Sequence, residues 1–368
     1  MNNIQKFIGI FFIFLSLVMQ PKMVEAVDCS RTSNFIDSQM PLAVNNLTVN
    51  PDMPNGTVIF KQNFLSGQTL SAYCNASNIS YQAYIEHSYS SRPYSASPWT
   101  GGPYPQATIY QTGVPGIGVM MAANNSPFPS DKKFKAPTHE NINRDYRYKN
   151  SHITLLLIKT GNVRPGTIRG MNLPTGIIRF KAPGTNFLWA RVKIQGTINI
   201  VSQTCNVSNV NVPMGQHKIG DKLTTTGATT GWVDASIRLT NCPRFYGTLN
   251  DGNNTYYNYT TGASNTGTYT KNILGVSISP NTSIIDNSQG IMSIKSTTNS
   301  AKGVAIQLAE FSNGFNQYIK FGNLLNYTLL NNNRTTFTIP LKARYIQTES
   351  KVTPGRADAT ATFTLTYK

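Results

Sequence analysis

The sequence predicts an all-β protein with two domains. Apolar and polar residues alternate with a period of two in several segments, which is the pattern of half-buried strands. The chain has 28 glycines and 20 prolines, a content that opposes long helices. At 368 residues it exceeds the roughly 150 residues that one hydrophobic core commonly serves, so two folded units are expected.

The first 26 residues have the features of a secretory signal peptide. Lys6 precedes an apolar run over residues 7–19, which is too short to span a bilayer comfortably. Small side chains at Val24 and Ala26 predict cleavage after Ala26, so that the exported chain begins at Val27. No later stretch reaches 18 apolar residues, and no membrane span is predicted.

Export gives the four cysteines a structural role. An oxidising compartment favours two disulfides among Cys29, Cys74, Cys205 and Cys242. Three pairings are possible, and the positions along the chain favour Cys29 with Cys74 and Cys205 with Cys242, one pair in each half. Neither CxxC nor HxxxH spacing occurs and the histidines are scattered, so neither a metal site nor a cofactor is predicted.

The first half contains long strand signals separated by two polar loops. Apolar residues alternate with a second set of residues from Leu188 to residue 200, which predicts one long half-buried strand. The first set includes Leu188, Ala190, Val192 and Ile194, and the second set begins with Trp189 and Arg191. Residues 153–158 are almost entirely apolar, as expected of a strand covered on both faces. Residues 90–106 and 124–150 form long loops, which in compact β domains are commonly functional.

A domain boundary is expected near residues 201–204, between the long strand and Cys205. The chain therefore divides into a signal peptide (residues 1–26), a first domain (27–201) and a second domain (202–368). Strands are predicted in the second domain at residues 207–212, 232–239, 273–278, 303–308 and 335–346. The Asn- and Thr-rich tract over residues 250–270 is expected to be a solvated loop.

The last residues carry the clearest alternation in the chain. One face holds Ala357, Ala359, Ala361, Phe363, Leu365 and Tyr367, and the intervening residues are Asp358 and four threonines. By periodicity alone this is a last strand that completes a sandwich.

Tyr367 is the penultimate residue, Gly355 is the fourteenth from the end, and Cys242 stands in an Asn-Cys-Pro triplet. Together these features of the second half resemble the pilin subunits of the chaperone-usher pathway of Gram-negative bacteria. The segments that fit the same family are residues 212–215, 303–308 and 337–345. The resemblance extends from Cys205 to Lys368.

The resemblance implies an immunoglobulin-like sandwich that lacks its seventh strand and so exposes a groove. In such proteins a periplasmic chaperone lends a strand, and the adjacent fimbrial subunit later replaces it after passage through the outer-membrane usher. By this resemblance, the alternating residues from Ala357 to Tyr367 pair with the chaperone strand.

The first half then resembles the receptor-binding lectin domain of two-domain tip adhesins, also an immunoglobulin-like sandwich. Such a subunit accepts a donated strand but has none to give, so it ends the fimbria at the cell surface and binds a host-cell glycan. Residues 152–200 are similar to the N-acetylglucosamine-binding fimbrial lectins. Transferred by position, the ligand-binding residues are Asn124, Asn125, Tyr148, Lys149, Asn150 and Ser151, with Asn125 replacing an aspartate of that group.

Sugar recognition also needs an apolar face, which Trp99, Tyr94 or Tyr104 can supply. The alternatives are structural: the aromatic residues anchor a Pro-rich loop, the asparagines form a turn, and Lys149 is a solvated charge. Residues 131–149 carry six basic and three acidic side chains, a local charge of +3 that favours an acidic glycan or a charged cell surface.

Other functions are less consistent with the sequence. Nucleic-acid binding is disfavoured by export and by the lack of any RNP, helix-turn-helix or zinc-finger pattern. No catalytic residue is predicted, because carboxylates are scarce and no GxSxG or histidine-based constellation occurs. The alternative that remains is a structural fimbrial subunit, or a protein-binding adhesin without sugar specificity.

Overall fold

The structure, a computed structural model, describes residues 27–75, 81–134 and 144–368. The predicted signal peptide lies outside the described residues. The described chain is all-β, as predicted, with a single 3-10 turn at Gly170–Asn172. Among these residues no helix is long and apolar enough to cross a membrane.

The described residues of the first half form sixteen strands. They are β1 (Asp28–Arg31), β2 (Ile36–Pro41), β3 (Asn46–Thr48), β4 (Val58–Leu65), β5 (Leu70–Asn75), β6 (Tyr84–Ser91), β7 (Tyr110–Gln111), β8 (Ile117–Ala123), β9 (Ser126–Pro127), β10 (Ser130–Lys133), β11 (Arg144–Tyr148), β12 (His152–Lys159), β13 (Gly166–Arg169), β14 (Thr175–Ala182), β15 (Thr185–Gln195) and β16 (Thr197–Val201).

Two sheets enclose the core of the first half. One has the strand order β10-β6-β14-β15-β2, and the other contains β4-β12-β8-β7 with β9 paired to β8. The core between them includes the fully buried side chains of Phe60, Phe128, Phe180 and Trp189. The smaller sheets β1-β5-β11 and β13-β16-β3 complete the domain, and a disulfide between Cys29 and Cys74 joins β1 to β5.

Strand β12 is buried along almost its whole length, in agreement with its apolar sequence. One face contributes to the core, and the other contacts a second cluster that includes Met120 and Leu156. Trp99 and Tyr104, from the Pro-rich loop, pack against that outer cluster. The loop therefore gives the sheet a third layer, which explains why the strand needs no polar face.

The predicted long strand differs from the observed one in two ways. A register shift between Ile178 and Arg179 of β14 interrupts the pairing with β15, so Trp189 is fully buried instead of facing solvent. Such a bulge changes the face on which the following side chains lie. Gly196, with φ of 96°, then divides the predicted strand into β15 and β16.

The second half contains fourteen strands. They are β17 (Asn206–Val207), β18 (Val233–Asp234), β19 (Ile237–Thr240), β20 (Tyr256–Asn258), β21 (Ser264–Asn265), β22 (Asn272–Pro280), β23 (Ile284–Asp286), β24 (Ile291–Ser293), β25 (Val304–Ser312), β26 (Phe315–Tyr318), β27 (Leu325–Leu329), β28 (Phe337–Ile339), β29 (Leu341–Gln347) and β30 (Ala361–Tyr367).

The second half forms a separate core between three sheets. Their strand orders are β17-β19-β28, β18-β29-β25-β24-β23 with β26 paired to β25, and β27-β22-β30. The Cys205–Cys242 disulfide joins the segment before β17 to the end of β19. The strand predicted at residues 207–212 is only partly present, because backbone pairing with β19 ends at Val207 and residues 209–215 line a groove in this half.

The tract over residues 250–270 is only partly the solvated loop expected from its composition: residues 260–266 are exposed, but residues 255–259 contact the first half. Strand β20 pairs in parallel with β4 of the first half, and β21 forms a hairpin with β20. Asn63 N donates to Thr255 O at 2.9 Å, and Tyr259 N donates to Leu65 O at 2.9 Å. We call residues 246–271 the bridging hairpin, since they belong to the second half in sequence and extend a sheet of the first.

Aromatic packing reinforces this contact. The rings of Tyr257 and Tyr259 both lie 6.3 Å from the ring of Phe64, which is buried in the first core. Composition alone did not reveal this role because the tract holds few aliphatic residues, while its tyrosines supply the apolar contact area. The bridging hairpin covers an edge of β4 that is otherwise open to pairing with another chain.

Removing the two tyrosine rings should open this contact. In the double variant Tyr257→Ala, Tyr259→Ala, the backbone amides of Lys61 and Asn63, which donate to the bridging hairpin, should exchange roughly tenfold faster in hydrogen–deuterium exchange. Tyr318→Ala, an exposed tyrosine elsewhere, is the control and should leave that exchange unchanged. Unaltered protection of residues 58–65 in the double variant would contradict a stabilising role for the rings.

Candidate functional site

The predicted ligand-binding asparagines form a tight turn at one end of the first domain. Asn124 and Asn125 connect β8 to β9 and have φ of 49° and 63°. Two positive φ angles in succession define a turn of the I′ kind, for which asparagine is well suited. Both side chains are exposed, so their amide groups are accessible to a ligand.

The second predicted segment lies beside this turn. Residues 149–151 connect β11 to β12, and the pairing of Thr154 with Ala122 places the start of β12 next to the end of β8. Lys149 and Asn150 are exposed. Ser151 is buried and its carbonyl accepts from Ser66 N at 3.1 Å, so it supports the turn instead of facing solvent.

Tyr148 links the two turns to the interior of the domain. Asn124 Nδ2 donates to the Tyr148 hydroxyl at 3.3 Å, and that hydroxyl lies 3.4 Å from His87 Nε2. His87 is buried on β6 and its ring centroid lies 5.7 Å from that of Phe128. The sequence patterns did not single out His87, although it alternates with Ile85 and Tyr89 on one face of a strand.

Burial determines the charge of this histidine. Desolvation, followed in size by the positive charge of Lys132, lowers the pKa of His87 to about 4. Burial also raises the pKa of Tyr148, against an opposing effect of its hydrogen bond with Asn124. Near neutral pH both groups are uncharged, so this side of the candidate site is polar without carrying a charge of its own.

Lysines provide positive charge at the same end. Lys132 Nζ lies 5.9 Å from the centroid of the Tyr148 ring, and Lys149 is exposed on the adjacent turn. Neither lysine forms an ion pair within residues 27–75, 81–134 and 144–368, whereas Arg147 pairs with Asp145 at 2.7 Å. Lys135, which also contributed to the predicted basic segment, lies outside the described residues.

The structure does not bring Trp99 to this end. The Trp99 ring lies against Gly56, where even an added Cβ atom would come within 3.2 Å of the ring. Gly56 N donates to Lys159 O, at the opposite end of β12. The seven residue steps from His152 to Lys159 correspond to roughly 24 Å of strand. Trp99 therefore occupies the outer face of the sheet, where it anchors the Pro-rich loop.

The bridging hairpin does reach the predicted ligand-binding end. Strand β20 runs parallel to β4 with Asn258 opposite Leu65, so both strands end beside the start of β12. Thr260 Oγ1 donates to Ser66 O at 2.8 Å. The second half of the chain thus contributes to the surface around the two turns.

A second candidate site is a groove in the second half, of about 780 Å³. Its floor includes Ile237, Met292, Ile306 and Leu341, which are core side chains. Its two walls are residues 209–215 and residues 356–363. An apolar groove between two extended segments has the shape that an additional strand requires.

The terminal strand β30 forms one edge of its sheet. It pairs with β22 on one side, in the order β27-β22-β30. Phe363 and Leu365 are only half-buried and Ala361 is exposed, although all three belong to the predicted apolar face. The alternating sequence is therefore incompletely covered by the rest of the described chain.

Comparison with known proteins agrees with these features. Residues 192–368 match the family model described as fimbrial protein. The chain is 25% identical over 334 residues to a fimbria adhesin protein of Klebsiella pneumoniae, a match that covers 89% of this chain and 91% of that relative.

Similar solved structures are also fimbrial proteins. The CupB6 tip adhesin of Pseudomonas aeruginosa is 16% identical, with a TM-score of 0.35 and coverage of 92% of this chain and 94% of that chain. CfaE, the adhesive subunit of CFA/I fimbria of enterotoxigenic Escherichia coli, is 14% identical, with a TM-score of 0.24 and coverage of 91% and 98%. The P pilus rod subunit PapA is 18% identical, with a TM-score of 0.31 and coverage of 45% and 100%.

The predicted resemblance to fimbrial adhesins is thus confirmed. The family match lies on the half that contains the groove, and the Klebsiella relative extends over both halves. The matched family and the Klebsiella relative are described as a fimbrial protein and a fimbria adhesin protein. The narrower similarity to N-acetylglucosamine-binding lectins and the individual ligand-binding residues stay predictions.

The buried histidine gives a pH dependence with a defined sign. His87 has a lower pKa folded than its ordinary 6.5, so the unfolded chain takes up the proton first as the pH falls. The free energy of unfolding of the first domain should decrease between pH 6.5 and about 4, by up to roughly 3 kcal/mol.

The variant His87→Phe should show a shallower decrease in urea denaturation over the same pH range. His217→Phe, an exposed histidine of the second half, should keep the steep dependence of the unmodified protein. Parallel curves for His87→Phe and the unmodified protein would assign the pH dependence to other groups.

Proposed function

We propose that this protein is the tip adhesin of a chaperone-usher fimbria. Its first half, residues 27–201, binds a host-cell glycan, and its second half, residues 202–368, joins it to the fimbria by accepting a strand from another chain. The observation that carries the proposal is the groove beside the unpaired edge of β30.

Backbone geometry supports strand donation. Lys368 and Ile273 exchange hydrogen bonds, and Asn281 N donates to Thr360 O, so every second residue of the terminal segment bonds towards β22. The intervening residues Ala361, Phe363 and Leu365 direct their N–H and C=O groups to the open edge. A strand with alternating apolar residues would satisfy these groups and cover the groove floor.

The place in the fimbria follows from what precedes the second domain. A rod subunit needs an extension that can be donated to a neighbour, whereas here a folded domain stands before the acceptor groove. Such a chain receives a strand and gives none, so it terminates the fibre. The signal peptide over residues 1–26 would direct it to the periplasm, where a chaperone supplies the first strand and the usher exports the complex.

The glycan site that we propose lies at the two adjoining turns of the first domain. Asn125 and Asn150 present amides that both donate and accept, which suits sugar hydroxyl groups. Asn124 and Tyr148 hold the turns together, and Lys132 and Lys149 favour a glycan with an acidic group. No metal or cofactor has a role in this proposal.

Loss of the Asn125 amide should weaken glycan binding. On a glycan array probed with the full mature chain, Asn125→Ala should reduce the signal for the best ligand by roughly tenfold or more, because the hydroxyl partners become unsatisfied. Asn162→Ala, an exposed asparagine beyond the opposite end of β12, is the matched control. Binding of a protein receptor in place of any glycan would favour the alternative of a protein-binding adhesin.

A charge placed in the groove should prevent chaperone capture. Ala361 is exposed and on the groove side, so Ala361→Arg leaves the fold of the free chain intact while blocking an incoming strand. Co-purification with the chaperone should be lost for this variant. Thr364→Arg, exposed on the same strand but on the other face, should be captured normally, and equal capture of both variants would refute strand insertion at this groove.

A further inference from the structure

The receptor-binding half of the chain contacts Tyr367, the last residue of β30, and Lys368, which follows it. Asp52 Oδ2 accepts from Tyr367 N at 2.7 Å. Asn50 Nδ2 donates to Lys368 O at 3.0 Å, and Asn50 is fully buried. Both residues belong to the segment that follows β3 in the first half, so the first half closes one end of the second half's open edge.

The hydrogen bond between Asp52 and Tyr367 lies on the edge of β30 that an inserted strand would use. Tyr367 follows Ala361, Phe363 and Leu365 in the set of residues whose N–H groups point away from β22. Its N–H is therefore the next donor that an inserted strand would use. The carboxylate of Asp52 already occupies it.

The surroundings of Tyr367 keep the contact in place. Its ring stacks on Phe245 with centroids 6.3 Å apart, and its hydroxyl accepts from Cys205 N at 3.3 Å. The Tyr367 side chain is buried, unlike those of Ala361 and Phe363. The final residues of β30 are thus fixed while the middle of the strand is open.

We propose that Asp52 is a register stop for the inserted strand: the partner pairs with β30 as far as Leu365 and does not continue past Tyr367. The occupant is a strand of another polypeptide with alternating apolar residues. This inference rests on the proposed strand insertion and adds that a residue of the receptor-binding half selects how far the partner extends.

Peptides of different lengths test whether Asp52 limits how far an inserted strand pairs with β30. The full mature chain is refolded with a seven-residue peptide of alternating valine and threonine, or with nine-residue versions extended by Val-Thr at either terminus. For the unmodified chain, the extension that runs towards Tyr367 should slow dissociation by no more than about twofold, whereas the opposite extension runs away from Asp52 and does not test the stop. In Asp52→Ala the Tyr367 N–H is released, and the extension towards Tyr367 should slow dissociation roughly threefold to tenfold, as expected for an added backbone pair.

Two further variants isolate the role of the carboxylate. Asp52→Asn keeps an oxygen that can accept from Tyr367 N, so it should retain the stop. Asp28→Ala, an exposed carboxylate on β1, should behave as the unmodified chain. For each variant, the dissociation rates of the longer peptides are compared with that of the seven-residue peptide on the same variant. A general loss of stability would change all of these rates and would not produce a difference between peptide lengths.

The outcomes separate the two proposals. If no peptide binds the unmodified chain, strand insertion fails and the register stop fails with it. If the peptides bind and the longer ones are favoured equally in the unmodified chain and in Asp52→Ala, strand insertion stands and the stop is refuted.

Discussion

The unpaired edge of β30 is the constraint on which the rest of the second domain depends. Phe363 lines a groove whose floor is the domain core, and the backbone groups of Phe363 and Leu365 point away from β22. Exposed strand edges and apolar strips promote association with other chains. The alternating C-terminal strand pairs with its own sheet on one side, and in our proposal a strand from another chain pairs on the other side.

The two halves are joined by more than a linker. The bridging hairpin adds β20 to the sheet of the first half, while Asp52 and Asn50 of the first half hold the end of β30. Each half thus contributes residues that pair with a strand of the other half. A consequence is that an isolated first half, cut near residue 201, would expose Phe64 and the edge of β4.

The proposed glycan site combines a rigid base with exposed polar groups. Tyr148 and His87 are buried and uncharged near neutral pH, and they support a turn in which Asn124 and Asn125 are exposed. This arrangement positions the amides without requiring them to order on binding, which limits the entropic cost of recognition. Trp99, which the sequence offered as a sugar-facing aromatic residue, lies at the far end of β12 from these turns.

The sequence by itself determined the strand content, the favoured disulfide pairs and the alternating terminal strand, because period-two alternation and cysteine positions are local properties. That this strand has an open edge was implied only by the resemblance. The sequence placed Asn124 beside the turn at residues 149–151 only by resemblance. The burial of Trp189, the role of residues 250–270 and the contact of Asp52 with Tyr367 were decided by tertiary structure. Each depends on a register shift or on two segments far apart in sequence, and neither leaves a periodic signal in the chain.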